Sequence, residues 1–174
     1  PSQSSAASDV YKRQVQLGAG QINDITSEIR ITLDEILKHD EVHVVLGESM
    51  IGSRIDVQLA NVHVLRDYPN SQYFRGFDAV VQAGGYNSFH ETRAFGVPAL
   101  FYPNLETGMD DQLARCLVAE AEGWGYVVEK RTPTSIRDGI QKLLNHSVGK
   151  KPETGPNGAQ TLSKALCAQL EANA

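Results

Sequence analysis

The sequence predicts an α/β fold built on a doubly wound, parallel, Rossmann-like sheet. Short apolar runs alternate with segments whose apolar residues recur at helical spacing, and no internal repeat interrupts this alternation. Two of the runs end in glycine-containing turns that a predicted helix follows, as nucleotide-binding loops do in such sheets. The length of 174 residues suffices for one domain with a hydrophobic core.

The predicted strands are the short apolar runs, which are bounded by Gly, Pro or charged residues. Because helices separate them, we expect a parallel sheet that is covered on both faces. In chain order the predicted strands are Val15–Leu17, Val42–Leu46, Val62–Leu65, Asp78–Ala83, Ala99–Tyr102 and Tyr126–Val128.

The predicted helices follow from apolar spacing and from residues that start or stop helices. Asn23 or Asp24 caps the first helix, Gly96 and Pro98 end the second, and a proline opens the fourth. In chain order the predicted helices run from Asn23 or Asp24 through Leu37, then Asn87–Phe95, Asp110–Glu122, Pro133–Asn145 and Ala159–Glu171, with a turn or short helix at Pro69–Phe74.

The sequence divides into a tail, a domain and a C-terminal segment. Residues 1–14 have no apolar periodicity and lack the apolar core of a signal peptide. Their stretch SSAASDVYKRQ resembles a translated sequencing adaptor, so we expect a non-native tail and a natural chain cut near Val15. The alternative is an ordinary disordered N-terminus. The predicted domain spans 15–148, and 149–174 hold a Pro/Gly-rich linker and the last helix.

Composition excludes several classes of partner. The net charge is −5 and no run of Lys or Arg exceeds two residues, so we expect no binding to nucleic acid or anionic membranes. No apolar run approaches the roughly 20 residues of a transmembrane helix. Cys116 and Cys167 stand alone, which predicts ordinary thiols in a reducing, cytoplasmic compartment and no metal site.

The first candidate binding loop contains Gly18, Gly20 and Gln21. Glycines allow backbone N–H groups to approach a phosphate closely, and the helix behind them adds the positive end of its dipole. The alternative is a plain turn between a strand and a helix, because a lone Gly-x-Gly is a weak signal.

The second candidate loop contains Gly84, Gly85, Asn87 and Ser88, and it opens the second predicted helix. The first amides of that helix could bind an anion, with the Ser88 hydroxyl as a further donor. The alternative is a capping box, because Ser88 is followed three residues later by Glu91.

Carboxylates in and after this helix suit the hydroxyls of a sugar. Glu91 could accept both vicinal hydroxyls of a ribose, whereas its neighbour His90 points elsewhere on the helix. A third loop contains Asp110, Asp111 and Gln112, which could bind a hexose. The alternative for this loop is a solvated helix cap, with Arg115 pairing with Asp111 one turn on. We expect all three loops at one end of the sheet.

Pattern and spacing over residues 15–145 resemble the C-terminal donor-binding domain of GT-B glycosyltransferases. The similarity extends to UDP-glycosyltransferases and to the N-acetylglucosaminyltransferase that makes lipid II. The residues that carry the resemblance are Gly85, Asn87, Ser88, Glu91, Asp111 and Gln112.

The resemblance implies a role for each matching residue. Asn87 and Ser88 match positions near the diphosphate, and Glu91 matches the glutamate that binds the ribose. Asp111 and Gln112 match the pair that binds the donor sugar. The first glycine loop matches the loop between the diphosphate and the cleft of the two-domain enzyme.

The resemblance also implies a substrate and partners. A nucleoside diphosphate sugar, most simply of the UDP type, would be a substrate, with no cofactor and no metal. A missing N-terminal domain would hold an unknown acceptor and the general base, so this chain alone should bind the donor without efficient transfer. Peripheral membrane association of the whole enzyme stays open.

Two positions depart from the family pattern. Ala83 replaces the His or Arg that the relatives place two residues before Gly85, and Tyr86 replaces the usual Trp. The diphosphate would then depend on backbone amides, Ser88 and an arginine from elsewhere. Two alternatives remain: a nucleotide-sugar 2-epimerase or hydrolase of the same fold, and a non-catalytic interaction domain with a relic pocket.

Overall fold

The six strands in the described part of the chain run parallel in one sheet. The structure, a computed structural model, describes residues 13–18, 26–47, 58–106, 108, 110–146, 163–164 and 167–168, and for 13–18 and 26–27 it describes only the backbone. The strands are β1 (Arg13–Gly18), β2 (Val42–Gly47), β3 (Val62–Leu65), β4 (Ala79–Gln82), β5 (Ala99–Phe101) and β6 (Gly125–Val127). The helices are α1 (Thr26–Ile36), α2 (Tyr86–Phe95), α3 (Gln112–Ala121) and α4 (Pro133–Leu144), with a 3₁₀ helix at Asn70–Gly76.

The strand order is β3-β2-β1-β4-β5-β6, which is the order of a Rossmann fold. Leu17 of β1 pairs with Leu46 on one side and with Val81 on the other, and Gln82 pairs with Phe101. The carboxyl ends of the strands therefore form one edge of the sheet. Ligands of such sheets bind outside this edge, where the strand order reverses between β1 and β4.

Helices cover both faces of the sheet, and each face has its own hydrophobic core. On one face α1 and α4 contribute buried residues such as Leu33 and Ile136. On the other face lie α2, α3 and the 3₁₀ helix, and Trp124 contacts Phe89 and Phe101 at ring-centroid distances of 5.2 and 5.8 Å. Burying each such side chain contributes about 1.5–3 kcal/mol, so both faces help to fix the sheet. The predicted doubly wound architecture is confirmed.

Strand β1 begins two residues earlier than predicted. The backbones of Arg13 and Gln14 pair with those of Val42 and His43. Pairing between backbones does not require apolar side chains, so periodicity alone missed these residues. The last two residues assigned to the tail therefore belong to the sheet, and residues 1–12 lie outside the described part of the chain.

The C-terminal predictions are described only in part. Residues 163, 164, 167 and 168 are helical, within the predicted helix Ala159–Glu171. The predicted linker and the remaining residues of that helix lie outside the described part of the chain.

Candidate functional site

Residues of all three predicted loops follow strands at the carboxyl edge of the sheet. Gly18 ends β1, the second loop follows β4, and the third follows β5. Gly20 and Gln21 of the first loop lie outside the described residues. The sheet order places β1 beside β4 and β4 beside β5, so the strands that carry the loops are direct neighbours.

Gly84 brings the second loop into close contact with helix α3. Its φ is +81°, and a Cβ atom at this position would lie 2.3 Å from the Sγ atom of Cys116. Both features require glycine, because L-residues avoid this backbone region and no side chain fits the space. Gly85 differs, since a Cβ atom there would meet nothing within 4 Å. The loop is therefore closed toward the core and open in front of α2.

Helix α2 begins without a side-chain cap. Its N-cap residue is Gly85, and the first amide with an intrahelical partner is that of Phe89, 2.9 Å from the Gly85 oxygen. The amides of residues 86–88 precede this bond and carry the positive end of the helix dipole. Asn87 and Ser88 are exposed beside them. These groups could bind an anion.

The capping-box interpretation of this segment is wrong. A capping box needs Ser88 at the N-cap and Glu91 three residues later. Because α2 starts at Tyr86, Ser88 is its third residue, and Glu91 lies in the second turn instead of the first. Glu91 is half-buried, one turn after Asn87 on the same side of the helix. Its carboxylate is therefore not used at the helix start.

Gln82 fixes the start of α2 to the end of β4. Its side chain is buried, and its Nε2 atom donates to the hydroxyl of Thr92 at 2.8 Å and to the Ser88 carbonyl at 3.4 Å. Sequence reasoning did not single out this residue. The signal was a lone amide inside an apolar run, which has to find a hydrogen-bond partner when buried.

The third loop lines a cleft of about 610 Å³. Asp111 caps α3 by accepting a hydrogen bond from the Ala114 amide at 2.9 Å, so the cap interpretation is right for this residue. The Gln112 Oε1 atom accepts from the Asn104 amide at 3.0 Å. The lining residues are Asn104, Leu105, Gly108, Asp110, Asp111, Gln112 and Leu113.

Arg115 pairs with Asp110 and not with Asp111 as predicted. The Asp111 carboxylate faces the start of α3, which leaves Asp110 as the partner. Arg115 also donates from Nη1 to the Gly84 carbonyl at 2.8 Å, and its guanidinium lies 5.4 Å from the ring centroid of Tyr86. This arginine holds the pKa of Asp110 below its usual range. One side chain thus joins the second and third loops.

Arg131 joins three further segments near the same edge. Its Nη1 atom binds both carboxylate oxygens of Glu28 in α1 at 2.9 and 3.0 Å. Its Nη2 atom donates to the carbonyls of Tyr102 and Pro103 at 3.3 and 2.8 Å. These contacts connect the chain after β1, β5 and β6. The sequence carries no local signal for them, because 103 residues separate the two side chains.

Comparison with known proteins identifies the fold. No protein-family model matches the chain. The glycosyltransferase SnogD from Streptomyces nogalater superposes with a TM-score of 0.63 at 20% identity, over 91% of this chain and 42% of SnogD. The spinosyn rhamnosyltransferase SpnG, in complex with thymidine diphosphate, gives 0.61 at 17% identity, over 76% of this chain and 37% of SpnG. The chain has the fold of one half of a GT-B glycosyltransferase.

Two sequence relatives are also named as glycosyltransferases. Two uncharacterized glycosyltransferases, from Methanosarcina acetivorans and Methanosarcina mazei, are each 31% identical over 97 and 94 residues. Each match covers 53% of this chain and 24% of the relative. The chain therefore spans about a quarter of the length of these two relatives and less than half the length of the solved structures.

Around the second and third loops, the described residues lack three features: a polar side chain at position 83, a metal-binding cluster and a membrane-spanning helix. Ala83, which departs from the family pattern, is exposed at the end of β4 and offers no polar group. Among the residues that the structure describes, no three His, Cys, Asp or Glu side chains converge to hold a metal ion. Within the same residues, every helix is too short or too polar to cross a membrane.

Proposed function

We propose that this chain is the donor-binding half of a nucleotide-sugar-dependent glycosyltransferase that transfers a hexose-type sugar without a metal ion. The observation that carries the proposal is the uncapped start of α2 beside the cleft after β5. A phosphate at the α2 amides and a sugar in the cleft would be joined within one donor molecule. The thymidine diphosphate in SpnG supports a nucleoside diphosphate as the ligand.

The proposal assigns roles to residues of the second and third loops and to Glu91. The amides of residues 86–88 and the Ser88 hydroxyl would bind the diphosphate. Glu91 would accept the ribose hydroxyls, and the cleft residues Asp111 and Gln112 would contact the donor sugar. Internal hydrogen bonds hold both cleft residues in fixed orientations, and their remaining oxygen lone pairs and amide protons can still bind hydroxyls.

The chemistry assigned to this half is stabilisation of the leaving group. As the glycosidic bond to the donor breaks, negative charge grows on the nucleoside diphosphate. Fixed amides and the helix dipole stabilise that charge without reorganising, which is an efficient form of electrostatic catalysis. The acceptor and the general base would come from a second domain, so we expect this chain alone to bind the donor without efficient transfer.

The proposal also covers partners and compartment. We propose a reducing, cytoplasmic environment, which the two unpaired cysteines Cys116 and Cys167 support. The donor would be its small-molecule partner, and the net charge of −5 disfavours nucleic acid. UDP sugars and dTDP sugars are the donor classes to test first.

The decisive residue is Glu91, and the decisive measurement is titration calorimetry with UDP and dTDP. A carboxylate that accepts ribose hydroxyls contributes enough that Glu91→Ala should weaken binding about ten- to hundredfold. Because Glu91 takes no part in the helix cap, the free energy of unfolding should change by less than about 0.5 kcal/mol.

Asp34→Ala is the matched control. It also removes one carboxylate, but Asp34 is exposed on α1, on the opposite face of the sheet. This variant should bind both nucleotides as the wild type does. The donor-site proposal fails if the wild type binds neither nucleotide, or if Glu91→Ala binds them with unchanged affinity.

A further inference from the structure

Arg115 places a positive charge between the second and third loops, which form the proposed donor site. The side chain extends back from α3 toward the Gly84 carbonyl and is mostly buried, with 18% of its surface exposed. Its contacts to Gly84 and Asp110 use the Nη1 and Nη2 atoms, and the Tyr86 ring lies against the guanidinium. An arginine fixed in this way loses little entropy when it binds a further anion.

The position of this charge matches the position of the proposed phosphates. Gly84 immediately precedes the N-cap residue of α2, and Tyr86 is the first residue of that helix. The guanidinium therefore lies at the turn whose amides would meet the diphosphate. Ala83 at the end of β4 supplies no charge to this turn, whereas Arg115 from α3 brings a cation to it.

Asp110 is the partner that an incoming phosphate would replace. Its side chain is twice as exposed as that of Arg115, at 36% against 18%. A diphosphate carries more negative charge than one carboxylate and presents several acceptor oxygens to the planar guanidinium. In that exchange the Gly84 and Tyr86 contacts can persist, because the close Asp110 contact is made by Nη2, whereas Nη1 donates to Gly84 and the guanidinium carbon lies over the Tyr86 ring.

We infer that Arg115 binds the diphosphate of the donor, and that Asp110 occupies this arginine in the free protein and yields it to the phosphates. The inference rests on the proposed function and names the phosphate-binding side chain of that same site. It assigns Asp110 the role of an anion that competes with the diphosphate for Arg115, in place of the sugar contact that the sequence predicts.

The test compares ligands with and without phosphates. Binding of UDP and dTDP is measured by titration calorimetry, and binding of uridine and thymidine by ligand-observed NMR, with the full chain. Arg115→Gln should weaken the two diphosphates about ten- to hundredfold and leave the nucleosides unchanged. Asp110→Asn should tighten the diphosphates severalfold, because the guanidinium no longer has a competing anion. Arg137→Gln, the same change at an exposed position of α4, should alter neither.

Several outcomes overturn the inference while the proposed function stands. These are unchanged diphosphate binding by Arg115→Gln, equal loss of diphosphate and nucleoside binding, or weaker diphosphate binding by Asp110→Asn. Equal loss would mean that Arg115 only shapes the loops. If Arg115→Gln does not fold, Arg115→Lys replaces it: the retained charge should keep part of the diphosphate affinity, the loss of the planar fork should lower the rest, and the nucleosides should bind as they do to the wild type. A wild type that binds no nucleoside diphosphate contradicts the proposed function itself.

Discussion

At the level of single residues, Gly84 determines how closely the second loop approaches α3. The backbone of Gly84 lies against the Cys116 thiol, and this contact positions the carbonyl to which Arg115 donates. Glycine is needed for two separate reasons, the positive φ and the absence of space. The neighbouring Gly85 has neither constraint, with a φ of −56° and open space in front of it. The two glycines therefore form a natural pair for comparison.

We expect Gly84→Ala to lower the free energy of unfolding by roughly 2–4 kcal/mol. About 1–2 kcal/mol comes from the left-handed backbone, and the rest from overlap with Cys116. Gly85→Ala should change the same quantity by less than about 0.5 kcal/mol. Urea denaturation measures both values.

The contact itself is tested by a double variant. Cys116→Ala removes the overlapping sulfur atom, so Gly84→Ala should cost less in that background than in the wild type. Equal losses in the two backgrounds would contradict the close contact, and equal losses in the two glycine variants would contradict the difference between Gly84 and Gly85.

At the level of elements, hydrophobic pattern predicts the existence of strands and helices better than it predicts where helices start. Strand β3 was predicted with its observed ends, because an apolar run between polar residues defines it locally. The sequence predicts that helix α2 starts at Asn87, one residue late, and the alternative capping box would place its cap at Ser88. Gly85 takes the cap because Gly84 and Gln82 anchor the preceding turn to the core, and those contacts are tertiary.

The candidate site was predictable only as a set of loops. The sheet order follows from the alternation of elements, so the three loops could be assigned to one edge from sequence. The side-chain contacts that join the segments at this edge could not be predicted from sequence. Arg115 reaches Gly84 across 31 residues, and Arg131 reaches Glu28 across 103. Such contacts depend on the packed sheet and leave no periodic signal in the chain.

Two arginines pair with carboxylates of α1 and should differ in importance. Arg131 binds Glu28 through both carboxylate oxygens, and the two side chains are only 20% and 17% exposed. Arg131→Ala also leaves two carbonyls without their donor, so we expect a loss of about 2–3 kcal/mol in the free energy of unfolding. Arg137 binds Glu35 at 3.2 Å from a largely exposed position, and Arg137→Ala should have a clearly smaller effect.

Urea denaturation at low and high salt distinguishes these two ion pairs. The loss caused by Arg131→Ala should persist in 1 M salt, because partly buried pairs are screened weakly. The small effect of Arg137→Ala should fade under the same conditions. Comparable losses for the two variants, or a loss at Arg131 that salt abolishes, would mean that Arg131 does not hold the edge together.

At the level of the whole molecule, Cys116 connects the hydrophobic core under α3 to the edge of the sheet that carries the proposed donor site. Cys116 lies in the core between the sheet and α3, directly beneath Gly84. Burial raises the pKa of its thiol to about 12. Very little thiolate therefore exists near neutral pH, and the buried sulfur can react only when α3 separates from the sheet. Cys167 is exposed and needs no such opening.

The reactivity of Cys116 should therefore report the stability of the whole fold and its coupling to the donor. With Ellman's reagent at pH 7.5 we expect one thiol to react quickly in the native protein and two in urea. Cys167→Ser should abolish the fast phase. UDP or dTDP at about 100 times the dissociation constant should slow the Cys116 reaction about a hundredfold, because a ligand that binds only the folded state stabilises it by about 2.7 kcal/mol. A Cys116 that reacts quickly in the native protein would contradict the packing of α3. A Cys116 whose rate is indifferent to bound nucleotide would show that the thiol becomes exposed without opening the donor site.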